Sequence, residues 1–176
     1  MKNIFNINNF ATCLETKTNK SIFVKDPDLN DAPCIISSAN DFDFRINNPK
    51  QKQIDFLKID ACLYDSQDGR KCDFSINDEK IVCFVEVKKL KDFSSSWKSD
   101  SKKDDALDQI IKTINRFKLN YNLSDMTSVF AIICLKPDIP THTQIIQVGD
   151  QNRIYTLLTE CGCPNLFIGN EITFNN

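Results

Sequence analysis

Three residues in one short stretch have the types and spacing to do chemistry on a phosphodiester: Asp73, Glu86 and Lys88. The stretch runs Lys71-Cys72-Asp73-Phe74-Ser75-Ile76, then a polar turn Asn77-Asp78-Glu79-Lys80, then Ile81-Val82-Cys83-Phe84-Val85-Glu86-Val87-Lys88. Two apolar runs around a polar turn predict a hairpin, which folds the Asp73 strand back beside the Glu86 strand. Side chains alternate along a strand, so Glu86 and Lys88 share a face with Phe84 while Val85 and Val87 take the other. The run from Val82 to Val87 is apolar apart from Glu86, as in a strand covered on both sides. A carboxylate there must be paired or bound to a cation, because desolvating it alone is costly. Two carboxylates and an ammonium suit Mg2+ or Mn2+, hard cations that take oxygen from carboxylates, water and phosphate. The plainer alternative is a half-wet strand that alternates apolar and charged residues with no chemistry attached.

An Asp followed, after twelve intervening residues, by Glu-x-Lys (Asp73, then Glu86-Val87-Lys88) resembles the PD-(D/E)xK nuclease superfamily. The resemblance covers residues 52–136, with Cys72 standing where the name-giving motif has Pro. It implies an α/β, restriction-endonuclease-like fold: an αβββαβ core with a mixed central sheet flanked by helices. It implies also a metal-dependent nuclease in which Asp73 and Glu86 hold Mg2+ or Mn2+, helped by the main-chain carbonyl of Val87. Lys88 would orient a water or neutralise the transition state. Gln109, on the next helix, would support the metal site, or else be an ordinary solvent-facing Gln. Glu15 matches the Glu that resolvase-like members carry on a helix ahead of the core. Thr113 stands where some branches place Tyr, which sets the exonuclease-type branch aside. The pairs Pro27-Asp28 and Pro137-Asp138 read as turn punctuation.

The elements that must position these residues follow from periodicity. Gln53 to Asp65 reads as a first core strand, and the turn Asp65-Ser66-Gln67-Asp68-Gly69-Arg70 links it to the next. Strands over 53–65, 71–76 and 81–90 then form an antiparallel meander. Residues 92–103 are Ser-rich and charged without an apolar period, which predicts a loop leaving the active strand. Asp104 to Lys118 carries Leu107, Ile110, Ile111, Ile114 and Phe117 on one helical stripe, with Asp104 and Asp105 suited to the positive N-terminal end. Ser128 to Leu135 is a buried strand, parallel to the Glu86 strand because a helix separates them. Ile154, Leu157, Leu158 and Cys161 predict a second helix, capped by Asp150 and stopped at Gly162, and Asn165 to Ile168 a final strand. Residues 1–50 read as an Asn-rich N-terminal extension with a short helix around Asn9 to Thr16, and residues 137–176 as a C-terminal helix and strand on the same single domain.

Composition limits the alternatives. A chain of 176 residues with 41% hydrophobic content suits one domain with a real core. No run is long enough to span a membrane, and Met1-Lys2-Asn3-Ile4-Phe5-Asn6 has no secretory pattern, so a cytoplasmic location is expected. The eight cysteines are then expected to be reduced, several of them as small buried hydrophobes (Cys62, Cys83, Cys134). Cys161-Gly162-Cys163 is spaced too closely for a structural zinc site. The one histidine, His142, argues against Ser-His or Cys-His catalysis, and four glycines leave no phosphate-cradling loop.

Net charge is −2, yet residues 88–118 hold nine Lys or Arg against five Asp, or +4. Such a basic tract beside a carboxylate cluster suits a nucleic-acid substrate, DNA ahead of RNA, although a solvated Lys-rich face is the commoner explanation. Lys89, Lys91, Trp97, Lys98, Lys102 and Lys103 are its candidate contacts, Trp97 either stacking on a base or pinning the loop. Cutting both strands of a duplex would take a homodimer. The competing class is an inactive binding module on the same fold, such as an immunity, antitoxin or assembly protein.

Overall fold

The computed structural model describes residues 12–27, 31–90, 96–120, 123, 128–136 and 148–175. Among them the elements run β1 (Leu14–Lys17), β2 (Ser21–Lys25), β3 (Ile35–Ser37), β4 (Phe44–Asn47), β5 (Ile54–Lys58), β6 (Phe74–Asn77), β7 (Ile81–Lys89), α1 (Ser96–Asn120), β8 (Ser128–Lys136), α2 (Val148–Cys161), β9 (Asn165–Ile168) and β10 (Glu171–Thr173). A six-stranded sheet has the order β1-β5-β6-β7-β8-β9, and a four-stranded sheet the order β10-β4-β2-β3. Both are mixed. The meander β5-β6-β7 is antiparallel, as expected, and β8 joins β7 in parallel over its whole length, Ile81 opposite Ser128 through Lys89 opposite Lys136.

The six-stranded sheet is the middle of three layers. On one face, Leu57, Ile59, Val82, Phe84, Ala131 and Ile133 pack against α1 and α2. On the other, Phe56, Phe74, Ile76, Val85 and Ile132 meet Ile22, Val24, Phe44 and Ile46 of the smaller sheet. Aromatic pairs cross each interface, Phe84 and Phe117 at 5.1 Å between ring centres and Phe44 and Phe74 at 5.8 Å, while Phe56 and Phe74 pair along the central sheet at 5.3 Å. Each fully buried ring is worth about 1.5–3 kcal/mol of transfer free energy.

The resemblance implies a mixed central sheet flanked by helices; the structure puts α1 and α2 on one face of that sheet and a second sheet on the other. Residues 14–47 are therefore structural, not an extension: β1 edges the central sheet, β2, β3 and β4 form the second sheet, and the C-terminal β10 completes that sheet by pairing in parallel with β4. The short helix expected around Asn9 to Thr16 is replaced by strand from Leu14 onward, while residues 9–11 lie outside the described residues. The loop expected over residues 92–103 is helix from Ser96. What stands in for the missing apolar stripe is a polar network. Arg153 of α2 donates to Asp104 at 2.7 Å and to Asp150 at 2.8 Å, and reaches Asp100 at 3.3 Å, while Lys103 lies 3.4 Å from Asp150. The first core strand ends at Lys58, because Ala61 at φ 56° turns the chain. Cys62 sits in that turn and forms a disulfide with Cys13, against the expectation of eight reduced thiols. Leu158, placed on the apolar stripe of α2, is exposed. No helix among the described residues is long and apolar enough to cross a membrane.

Candidate active site

Asp73, Glu86, Lys88 and Gln109 come together at the end of β7 facing α1. Phe74 pairs with Val85, so Asp73, one residue before β6, arrives beside Glu86. Its main-chain carbonyl accepts from Ile59 N at 3.0 Å and Asp60 N at 3.1 Å, which anchors the backbone there. Its carboxylate accepts from the Val87 N–H at 2.6 Å. Glu86 is 2% exposed, and one of its oxygens pairs with the Lys88 ammonium at 2.6 Å. The other, Oε2, is buried with no hydrogen-bond partner.

Lys88 also reaches Asp105 at 2.8 Å and donates to the Gln109 side-chain oxygen. The Gln109 amide in turn donates to the Lys71 carbonyl at 3.1 Å. The Gln109 side chain is thus turned to Lys88 and the chain leading into Asp73 rather than to solvent. One helical turn further, Thr113 is 1% exposed and its hydroxyl accepts from the Cys72 N–H at 2.8 Å. Together Gln109 and Thr113 stitch α1 to the two residues that lead into Asp73.

Electrostatics mark the same spot. Burial, and then the charge of Glu86, push the Asp73 carboxyl well above the usual carboxylate range. Burial pushes Glu86 up to about 7 despite the Lys88 ammonium beside it. Two carboxylates that resist ionising together, one with an unpartnered buried oxygen, form a place where a divalent cation would be welcomed. Among the described residues no group of three or more His, Cys, Asp or Glu is placed to hold a metal. The protein's share would therefore be Asp73, Glu86 and the Val87 carbonyl, with water and substrate oxygens for the rest, the usual manner of Mg2+.

Other expectations are corrected. Glu15 lies on β1, opposite Phe56, on the face turned to the second sheet and three strands from β7. That is about 14 Å at the ordinary strand spacing, and on the wrong side of the sheet. Glu15 instead pairs with Lys58 at 2.6 Å and Lys17 at 2.9 Å. Lys103 is 7% exposed within the Arg153 network and cannot meet a polynucleotide. Lys89 emerges on the opposite face from Lys88 and sits 3.4 Å from Asp26 and 3.7 Å from Asp43. Lys102 is exposed on α1. Lys91 and the side chains of Trp97 and Lys98 lie outside the described residues, as does His142.

One residue of the cluster and one nearby charge have roles that the sequence does not signal. Asp105 was read as a helix-end charge, whereas it bridges Lys88 and Arg70. Asp26, beside the Pro27-Asp28 pair read as a turn, adds its negative charge to the upward push on both Asp73 and Glu86. Comparison with protein-family models, with curated proteins and with solved structures finds no match for this chain.

Proposed function

We propose that the chain is a metal-dependent endonuclease of the PD-(D/E)xK type, hydrolysing phosphodiester bonds of nucleic acid, DNA ahead of RNA. The observation that carries this reading is the buried, unpartnered Glu86 oxygen beside Asp73, with Lys88 on the same strand face. Asp73, Glu86 and the Val87 carbonyl would hold the cation. When bound, it supplies a Lewis acid that acidifies water and stabilises charge building on phosphorus.

The chain's own contribution is placement and charge. Asp105 and Gln109 hold the Lys88 ammonium in one position. From there it can meet a phosphate oxygen and neutralise the charge that develops on it. The Val87 N–H fixes the Asp73 carboxylate, so both acidic groups are set before substrate arrives. A nicking assay with Mg2+ on plasmid, branched DNA and RNA tests the proposal. Glu86→Ala and Lys88→Ala should each lower cleavage by about 10²-fold or more; activity equal to the parent protein would sink it.

One observation favours a second reading. Lys88 bonded to Glu86, Asp105 and Gln109 closes an ion cluster by itself, as in an inactive nuclease-fold binding module of the immunity, antitoxin or assembly kind. Calorimetry with Mg2+ or Mn2+ separates the two: heat of binding that disappears in Glu86→Gln supports the enzyme, and no binding at millimolar ion supports the module.

A further inference from the structure

A hollow beside the site has no part in the chemistry above. Its wall is formed by the Gly69-Arg70 turn and by one face of α1 that carries Lys112, Asn115, Arg116 and Leu119. Gly69 at φ 75° lets the turn reverse immediately after the short 3-10 segment Ser66–Asp68. Three cations face this space, and they are not equally neutralised. Arg70 is tied to Asp105 and, at 2.9 Å, to Asp108; Lys112 lies 2.8 Å from Asp108. Arg116 has no carboxylate partner among the described residues. Its guanidinium lies 4.5 Å over the Tyr64 ring and donates one N–H group to the Asp68 carbonyl, while Nη1 is buried with no hydrogen-bond partner. Beside it, Leu119 is 87% exposed, so the hollow offers an apolar rim next to unmatched positive charge.

The hollow is joined to the site by a single carboxylate. Asp105 touches Lys88 with one oxygen and Arg70 with the other, so the Lys88 ammonium and the first cation of the hollow are neighbours. A polynucleotide whose scissile phosphate meets Lys88 must lay its adjoining nucleotides somewhere on this surface, and a guanidinium with no carboxylate partner among the described residues is the group best suited to a phosphate there. The exposed Leu119 and the guanidinium stacked on Tyr64 suit the sugar and base of the same nucleotide.

Resting on the nuclease reading, we infer that the Arg70–Lys112–Arg116 hollow is a subsite for a nucleotide flanking the scissile phosphate, with Arg116 as its principal phosphate contact. The strand thus runs along α1 toward its C-terminal end, away from the Lys-rich segment that follows β7.

Binding of a fluorescent oligonucleotide in EDTA, followed by anisotropy across a salt series, tests the subsite without requiring cleavage. Lys112→Gln/Arg116→Gln should weaken binding about tenfold and lower the salt slope by about 2, one for each lost contact. Arg116→Lys should keep much of the affinity, and Lys50→Gln, the same charge loss as Lys112→Gln but on a turn outside the hollow, should leave it unchanged. Because Arg116 also holds the Asp68 turn, Lys112→Gln alone is measured too and should lower the slope by about 1. Unchanged affinity and slope in these variants, or no oligonucleotide binding by the parent protein, overturns the subsite. Binding that depends on Arg116 in a protein that never nicks overturns the hydrolytic reading and leaves the subsite standing.

Discussion

The two faces of β7 admit different chemistry over the same few residues. Toward the second sheet, Cys83, Val85 and Val87 pack in an apolar cluster, and the first charge that β7 itself carries on that side is Lys89 at the strand's end. Toward α1, Val82 and Phe84 are equally apolar, but the next two positions are Glu86 and Lys88. The helix makes the difference, since it presents Asp105 and Gln109 to the charged end of the strand and Ile110, Ile114 and Phe117 to the apolar part of the same face. A charged pair is tolerated inside this molecule only where the covering element answers it group by group. Of that charged pair, the oxygen left without a partner is Glu86 Oε2, where the proposed nuclease would take a cation.

This contrast can be broken from either side. The largest effect is expected on the dry face: Phe74→Ala removes a ring that touches both Phe44 and Phe56, and should cost about 4 kcal/mol in urea unfolding. On the polar face, Lys88→Met leaves the Glu86 carboxylate buried and unpaired, at a cost of about 3 kcal/mol. Adding Glu86→Gln should recover most of that loss, and a double mutant as unstable as the sum of its parts would show that the two groups do not form a unit.

The smallest effect sharpens the distinction between site and edge. The Lys58 hydrogen bond to Glu15 holds its carboxyl below the ordinary value of 4.5, so the pair's stabilisation is present above that pH and fades as pH falls through the depressed value. Glu15→Gln should therefore flatten the acid side of the stability curve by about 0.5 kcal/mol, as for other half-exposed pairs, and leave nicking unchanged. A loss of cleavage in that variant would return Glu15 to the site.

What could be read from the sequence followed the range of the interactions. The β6–β7 hairpin and the placing of Asp73 beside Glu86 rest on local periodicity and a short turn, the parallel β7–β8 crossover on the helical stripe between two apolar runs, and all are present. The second sheet was not legible, because its strands are 3–5 residues long and two of its pairing partners, β4 and β10, stand at opposite ends of the chain. Asp105 was misread for a related reason. With the helix begun at Asp104 it looks like an end charge, but α1 begins at Ser96, so Asp105 lies in the third turn and its negative charge answers Lys88 and Arg70. The first turns of α1 gave no apolar signal, since they are held by Arg153 from a helix nearly fifty residues away.

The Cys13–Cys62 bridge joins residues 49 positions apart, and β2, β3 and β4 lie wholly within the ring it closes. Proteolysis at an exposed turn inside that ring, such as Pro49-Lys50, would open the chain without releasing a fragment. A nicked molecule would migrate as full-length on a non-reducing gel and separate into two pieces only after thiol treatment. The middle layer would keep its partner sheet tethered through damage that severs the backbone between them.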